Sequence, residues 1–337
     1  KTGKLRTKLT FEKMAKPWNI LELLREKIAA AGGPVSCHAH FDKAYVITPE
    51  KLDMTMEHME VKWDLWKKVK EEYTHENLVE RISLSAENMI RQGCTITRTN
   101  VDVDATVGMK CVEAALEVKE KYADKIEIQI ASQVLEGALN PESQKMIEKA
   151  EPFVDALGGL PSRDRPHQSE HLDYLFDLAK RKKKTVDVHI DQNNFPEERD
   201  TELLAKKVIE HGLQGRVNAV HALSLAAQPD EYVRDIAQLL KEAEMSVLIC
   251  PRAAIDMMQM REKTAPLHNS IAPMPQLLEA GVNVALGVDN VYDFFCPFID
   301  GDIFTELLFL SEACRFYDVE KLVDIATKNG RKVLANI

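Results

Sequence analysis

Short apolar runs recur along the chain, separated by longer segments with helical periodicity, and this alternation leaves few folds open. The runs cover 35–40, 95–101, 126–134, 154–160, 185–190, 217–222, 246–250 and 282–288. Runs this continuous suit strands buried on both faces, as in an all-parallel sheet. Between them, Tyr232, Ile236, Leu239 and Leu240 form one apolar helical stripe. Leu277-Leu278-Glu279-Ala280 leads into Gly281, a helix stop just before the eighth run. Eight strands alternating with helices predict an α/β protein, a (β/α)8 TIM barrel. A doubly wound open sheet is the alternative, but no glycine-rich phosphate turn follows the first run. The length of 337 residues suits a barrel with insertions, and no Gly-, Ser- or Pro-rich linker divides it. The expected organisation is a helical extension over 1–33, with Ile20, Leu21, Leu24 and Ile28 on a helix, and a barrel over 34–337. Lys1 to Lys8 read as a disordered or appended end. The stretches 44–73 and 251–275 are too long for simple loops and should cover the C-terminal mouth of the barrel.

A net charge of −10 with interspersed signs argues against nucleic acid as a partner. The one basic run, Lys180 to Lys184, reads as a solvated helix end. Six scattered cysteines without a CxxC pair fit a reducing compartment. No leader and no membrane-length apolar run is visible, so the expectation is a cytoplasmic protein with no membrane partner.

In a barrel of this type, chemistry sits at the C-terminal ends of the strands. His38 and His40 end the first run; Arg98, Asn100 and Asp102 end the second. His189, Asp191 and Gln192 end the fifth, His221 the sixth, and Asp289 and Asn290 the eighth. His38 and His40, two apart on a strand, point the same way. With His189 and Asp289 they make a three-histidine, one-carboxylate set suited to one divalent ion, Zn or Fe, with a position left for water. Asp289 could exchange the water's proton, and His221 could orient the water or stabilise developing charge. A single strand histidine is usually a hydrogen-bonded core residue; an ordered set over several strand ends is much harder to obtain by accident. His58, His75, His167, His171 and His211 lack strand-end placement and read as surface or loop residues, with His268 able to overhang the pocket. Trp63, Trp66, Met54, Met56, Met59, Met257, Met258 and Met260 read as packing. Asp102 and Asp104 read as structural carboxylates, one of them paired with Arg98.

The segments resemble the amidohydrolase superfamily, in the branch that holds cytosine deaminase and N-isopropylammelide isopropylaminohydrolase. Cys37-His38-Ala39-His40-Phe41-Asp42-Lys43 resembles the family's HxHxDK motif, and Arg98 to Asp104 its RTHVDVD segment. His189-Ile190-Asp191-Gln192, His221-Ala222 and Gly287 to Phe295 resemble the segments after strands 5, 6 and 8. The resemblance runs from about Pro34 to the end of the chain. It implies that His38, His40, His189 and Asp289 bind one metal ion, that His221 and Asp289 are catalytic, and that Gln192, Asn100 and Asn290 meet a small heterocyclic substrate. The reaction implied is hydrolysis of a C–N bond of a pyrimidine- or triazine-like ring. Gln192 stands where cytosine deaminase has a proton-shuttling glutamate, and an amide cannot do acid–base work. Neighbouring strand residues face opposite ways, so Asp191 is a poor substitute. Asn100 stands where the branch commonly has histidine. The small β-sandwich of many relatives is expected to be absent. The rival readings are a catalytically idle relative that binds a heterocycle, and a cyclic-amide hydrolase. Relatives of this type often assemble, so a homo-oligomer is compatible.

Overall fold

The structure, a computed structural model, describes residues 19–257 and 269–335. Eight parallel strands run in chain order: β1 (Val35–Ser36), β2 (Ile96–Asp102), β3 (Glu127–Gln133), β4 (Ala156–Gly159), β5 (Thr185–Ile190), β6 (Val217–His221), β7 (Ser246–Ile249) and β8 (Asn283–Leu286). Each falls inside or within one residue of its apolar run. The first run contributes only two residues to the ladder with β2, pairing Val35 with Ile96 and Ser36 with Thr97. Beyond Ser36 its backbone bonds turn to β8. The Cys37 amide donates to the Leu286 carbonyl at 2.9 Å, and the His38 carbonyl accepts from Val288 and Asp289, both at 3.1 Å. A parallel bridge between Ala39 and Asp289 completes the return, so the sheet is a barrel and not an open doubly wound sheet.

The helices follow the patterns that place them. Helix Asp230–Glu242 buries Val233, Ile236, Ala237 and Leu240, one residue off the stripe read from Tyr232 and Leu239. Helix Gln168–Lys182 carries the basic run at its C-terminal end, where Lys183 adopts a left-handed cap, and helix Met274–Glu279 stops before Gly281. Helix Ile20–Ala30 is capped by the Asn19 side chain and buries Leu24 and Ile28. The stretch after β1 forms a short helical segment, Pro49–Met56, and helix Met59–Glu71. That second helix is pinned at two places. Buried Lys70 pairs with Asp104 and, at 3.3 Å, with Asp102. Trp66 stacks on Phe295 and meets Phe294 edge-on, at 5.8 and 5.5 Å between ring centroids.

In the lower half of the barrel the interior is polar. Arg98 (β2) donates from Nη1 to both oxygens of Asp187 (β5), at 3.0 and 2.9 Å, and from Nη2 to Gln129 Oε1 (β3) at 2.8 Å. Asn218 (β6) adds a bond to Asp187 at 2.8 Å. Gln129 in turn donates to the Leu334 carbonyl at 2.9 Å, tying helix Lys328–Leu334 to this layer. The expected pairing of Arg98 with Asp102 or Asp104 is therefore corrected. Arg98 points across the barrel, and the cations at Asp102 are Lys43, at 2.6 Å, and Lys70. Arg98 and Asp187 are fully buried. A buried pair broken from one side leaves an uncompensated charge, a cost of about 3–5 kcal/mol. Arg98→Met is accordingly expected to lose about that much stability in urea denaturation. A loss no larger than that of an exposed arginine would contradict the role of this layer.

Candidate metal centre

Four imidazoles and one carboxylate meet above that layer, each delivered by a strand end. His38 and His40 follow β1, His189 is on β5, His221 ends β6, and Asp289 lies beyond β8. Nε2 of His40 lies 3.2 Å from Nε2 of His189. Asp289 Oδ1 lies 3.4 Å from Nε2 of both His38 and His40, and its Oδ2 lies 3.8 Å from His221 Nε2. His38, His40 and His189 offer donor atoms within 4.8 Å of one another, as do His38, His221 and Asp289.

Local backbone explains the convergence. Gly287 precedes the turn into the site, and a Cβ there would come within 2.8 Å of His38 Cβ and 2.9 Å of Cys250 Sγ. His221 and Asp289 both have positive φ, 76° and 59°, a conformation that is costly for residues other than glycine and that persists where the surroundings enforce it. At His221 the turn redirects a side chain that strand alternation would send away from Asn218, whose amide lies inside the barrel. Asp191, with φ of 53°, is redirected the other way. Its carboxylate accepts from the Thr201 amide at 3.1 Å and from the Thr201 hydroxyl, and burial pushes it up to about 6.

The charge state suits ligation. Burial, reinforced by the neighbouring imidazoles, holds His189 well below the usual histidine range. Burial also lowers His40, against the pull of the Asp289 carboxylate beside it, and takes His221 down to about 4. Burial opposes ionisation of Asp289, but His221 and the adjacent His38 and His40 imidazoles hold it well below the carboxylate range. Neutral imidazoles and an ionised carboxylate are the forms that bind a cation. Several of these buried polar atoms also lack a hydrogen-bond partner, among them both ring nitrogens of His38, Nδ1 of His40 and His189, and Oδ1 of Asp289. Orphaned buried atoms are costly. Donors that share an ion at about 2.0–2.2 Å lie roughly 3.2–3.6 Å apart, which the 3.2 and 3.4 Å separations match. The residues therefore fit a divalent cation.

His40, His189, His221 and Asp289 form the floor of a cavity of about 390 Å³, and His38 is fully buried off its wall. Gln133, Gln192 and Asn290 line it with amides; Leu135, Leu160, Leu223, Phe295 and Phe298 line it with apolar surface. Asn100 is not among the lining side chains. It is fully buried, and neither atom of its amide has a partner. The stretch after β1 covers the cavity through Met56, Met59 and Trp63, and the stretch after β7 through Ala254 and Met257. Met56, Met59, Trp63 and Met257 are thus wall as well as packing, whereas Trp66 is packing alone. His58 also lines the cavity, which its loop position did not signal. His171, expected at the surface, is fully buried between Asp164 Oδ2, at 2.6 Å, and the Leu160 amide, at 3.1 Å. Met258, Met260 and His268 lie outside the described residues. Sequence reading missed Gln133 and Asp293. Gln133 ends β3, a strand end that carries no histidine or acid to draw notice. Asp293 is fully buried, four residues after Asp289, and burial pushes it up to about 7.

Comparison with known proteins places the chain in a family. Residues 32–335 match the Amidohydrolase family. An uncharacterised protein of Haemophilus influenzae is 35% identical over 259 residues, covering 76% of this chain and 94% of that protein. The N-isopropylammelide isopropyl amidohydrolase of a Pseudomonas species is 30% identical over 325 residues, covering 92% and 77% of the two chains. The crystal structure of 5-methylcytosine deaminase from Klebsiella pneumoniae liganded with 5-fluorocytosine superposes with a TM-score of 0.83 at 26% identity, covering 90% of this chain and 74% of the other.

A cation held by this cluster adds stability by mass action, about 2.7 kcal/mol at a hundred times its Kd. For a domain of this size that is on the order of 5 °C in Tm. Chelation should lower Tm by that order and metal should restore it, while His189→Ala should not respond to either. An unchanged Tm on both treatments of the unaltered protein would speak against the site.

Proposed function

The chain belongs to the amidohydrolase family, and from that premise we propose that it hydrolyses a C–N bond of a small nitrogen heterocycle, pyrimidine- or triazine-like, releasing ammonia or an amine. The observation that carries this reading is two donor sets that share His38, one with His40 and His189 and one with His221 and Asp289, at the floor of a cavity. Relatives named for N-isopropylammelide and pterin substrates, and a neighbouring structure named for 5-methylcytosine, support a ring substrate. In this reading His38, His40, His189 and Asp289 hold one zinc or iron ion. When bound, such an ion supplies Lewis acidity and makes water a nucleophile at neutral pH.

The other steps fall to the chain's own groups. Asp289 takes the nucleophile's proton at Oδ2 and passes it to the leaving nitrogen as the C–N bond breaks. His221, whose burial takes it down to about 4, donates from Nε2 to the oxygen as the attacked carbon becomes tetrahedral. Gln133 and Gln192 each offer a donor and an acceptor to a ring edge, and neither can exchange a proton. Trp63, Leu135, Leu160 and Phe295 provide a wall suited to a flat ring and keep bulk water from the floor. Asn100 lies buried at the β2 end, off the cavity wall.

The test is a panel of aminated pyrimidines, triazines and pterins incubated with metal-loaded protein, with ammonia and amine release and ring opening scored separately. Amine release with an intact ring is the expected outcome. Binding without turnover would favour an idle relative, and ring opening a cyclic-amide hydrolase. On any substrate found, Asp289→Asn and His221→Ala should each lower kcat/KM by about 10²–10⁴-fold with circular dichroism unchanged. Undiminished turnover by Asp289→Asn would remove the assigned proton relay.

A further inference from the structure

Asn290 follows the carboxylate of the cluster in sequence and lines the same cavity. Its carboxamide is not free to turn over. Nδ2 donates to Oδ2 of Asp293, whose Oδ1 accepts the backbone N–H of Phe295 at 2.8 Å and of Cys296 at 2.9 Å. Asp293 is fully buried and lies outside the cavity wall. An ionised carboxyl only accepts hydrogen bonds. While Asp293 is ionised, the amide nitrogen of Asn290 faces it, and the amide oxygen is left for whatever fills the cavity. Among the described residues no donor reaches that oxygen.

We propose that Asp293 is a positioning residue that holds Asn290 as a hydrogen-bond acceptor beside Asp289, and that the substrate's leaving nitrogen accordingly carries an N–H. The inference rests on the hydrolase reading of this cavity and narrows it. Asp289 exchanges a proton with the leaving nitrogen, so that nitrogen must come within reach of Asp289 and of the residue next to it. A primary or secondary exocyclic amine offers an N–H to Asn290. A dialkylamino, alkoxy or halogen substituent offers none and would set its own lone pairs or carbon against a fixed acceptor. Leaving such an acceptor buried and unpaired discriminates far more strongly than a change of shape. The wall from Phe295 to Phe298 is organised by the same carboxyl, since the turn that begins it is held by the two N–H bonds to Asp293 Oδ1.

The test compares three derivatives of one turned-over ring, bearing a primary, a secondary N-alkyl and an N,N-dialkyl amine, with metal-loaded unaltered protein, Asp293→Asn and Asn290→Leu. It is run at pH 8.5, above the value of about 7 to which burial pushes Asp293. The unaltered protein should prefer the N–H-bearing amines over the dialkyl compound by at least about tenfold in kcat/KM. In Asp293→Asn the new carboxamide can keep its oxygen on the two backbone N–H groups and turn its NH2 toward Asn290, which then flips its own nitrogen into the cavity. That variant should bring the preference close to one or reverse it, with metal content unchanged, and Asn290→Leu should also abolish it. Steric effects of the second alkyl group cancel, because the ratio is compared between proteins. A merely structural role would lower all three substrates alike, and an unchanged ratio in Asp293→Asn would overturn the proposal. Should no ring be turned over, the hydrolase reading fails. The ratio is then read from calorimetric Kd values of the same compounds, which decides the positioning role on its own; absence of binding by all three would overturn both.

Discussion

The site depends on one piece of backbone, the return of the eighth strand onto the first. The His38 carbonyl accepts from the amides of both Val288 and Asp289, and Ala39 bridges to Asp289. These bonds close the barrel and set the HxH pair against the carboxylate in the same act. Gly287 makes the approach feasible, since a Cβ would come within 2.8 Å of His38 Cβ. The metal-ligand geometry is thus inherited from sheet closure. It needs no mobile loop, which matters because a loosely held set of neutral imidazoles would relax into other hydrogen bonds. The unpartnered nitrogens of His38, His40 and His189 indicate how little such relaxation the frame permits.

Two buried charge networks brace this closure from below and from the side. Below, Arg98, Asp187, Gln129 and Asn218 join four strands across the barrel interior. Beside it, Lys43 and Lys70 converge on Asp102, joining the segment after β1 and the covering helix Met59–Glu71 to the end of β2. Buried ion pairs are weak contributors to net stability, because desolvation consumes most of the attraction. Their use here is geometric, since each fixes the relative position of elements that carry or cover the site.

The strands were legible because a parallel barrel buries both faces, so its strands stand out as apolar runs. The chemistry was legible at strand ends for the same architectural reason. Long-range partners were not. Sequence proximity suggested Asp102 or Asp104 for Arg98, but the partner lies on β5, almost ninety residues away. Strand alternation also fails where the backbone turns left-handed. By period two, Asp191 should share a face with His189, yet its φ of 53° sends it to Thr201, and the next residue, Gln192, lines the cavity. His221 shows the reverse. Asn218 lies inside, so alternation would turn His221 outward, and φ of 76° brings it in. The covering segment was recognised from its length alone. Which of its side chains face the cavity, Met56, Met59 and Trp63 as against Trp66, depends on the anchoring at Lys70 and Phe295.

The distribution of titratable groups gives the cavity a division of labour. On the floor, burial strips the imidazoles of charge and the surrounding donors keep Asp289 charged. A divalent cation there leaves a net positive centre in a water-poor space, which favours an electron-rich nucleophile and a neutral ring over a cationic one. The cavity wall carries the amides Gln133, Gln192 and Asn290, with Glu57, Glu60 and Asp256 also on it. Amides keep the same hydrogen-bonding sense at every pH, so the recognition they offer stays fixed while Asp289 and His221 move protons. Asp293 belongs to the recognition side of that division. It is ionisable, but it is walled off from the cavity by the very amide it orients. A carboxyl in direct contact with the ring would add a second proton donor. One placed behind Asn290 converts its charge into the direction of a neutral acceptor.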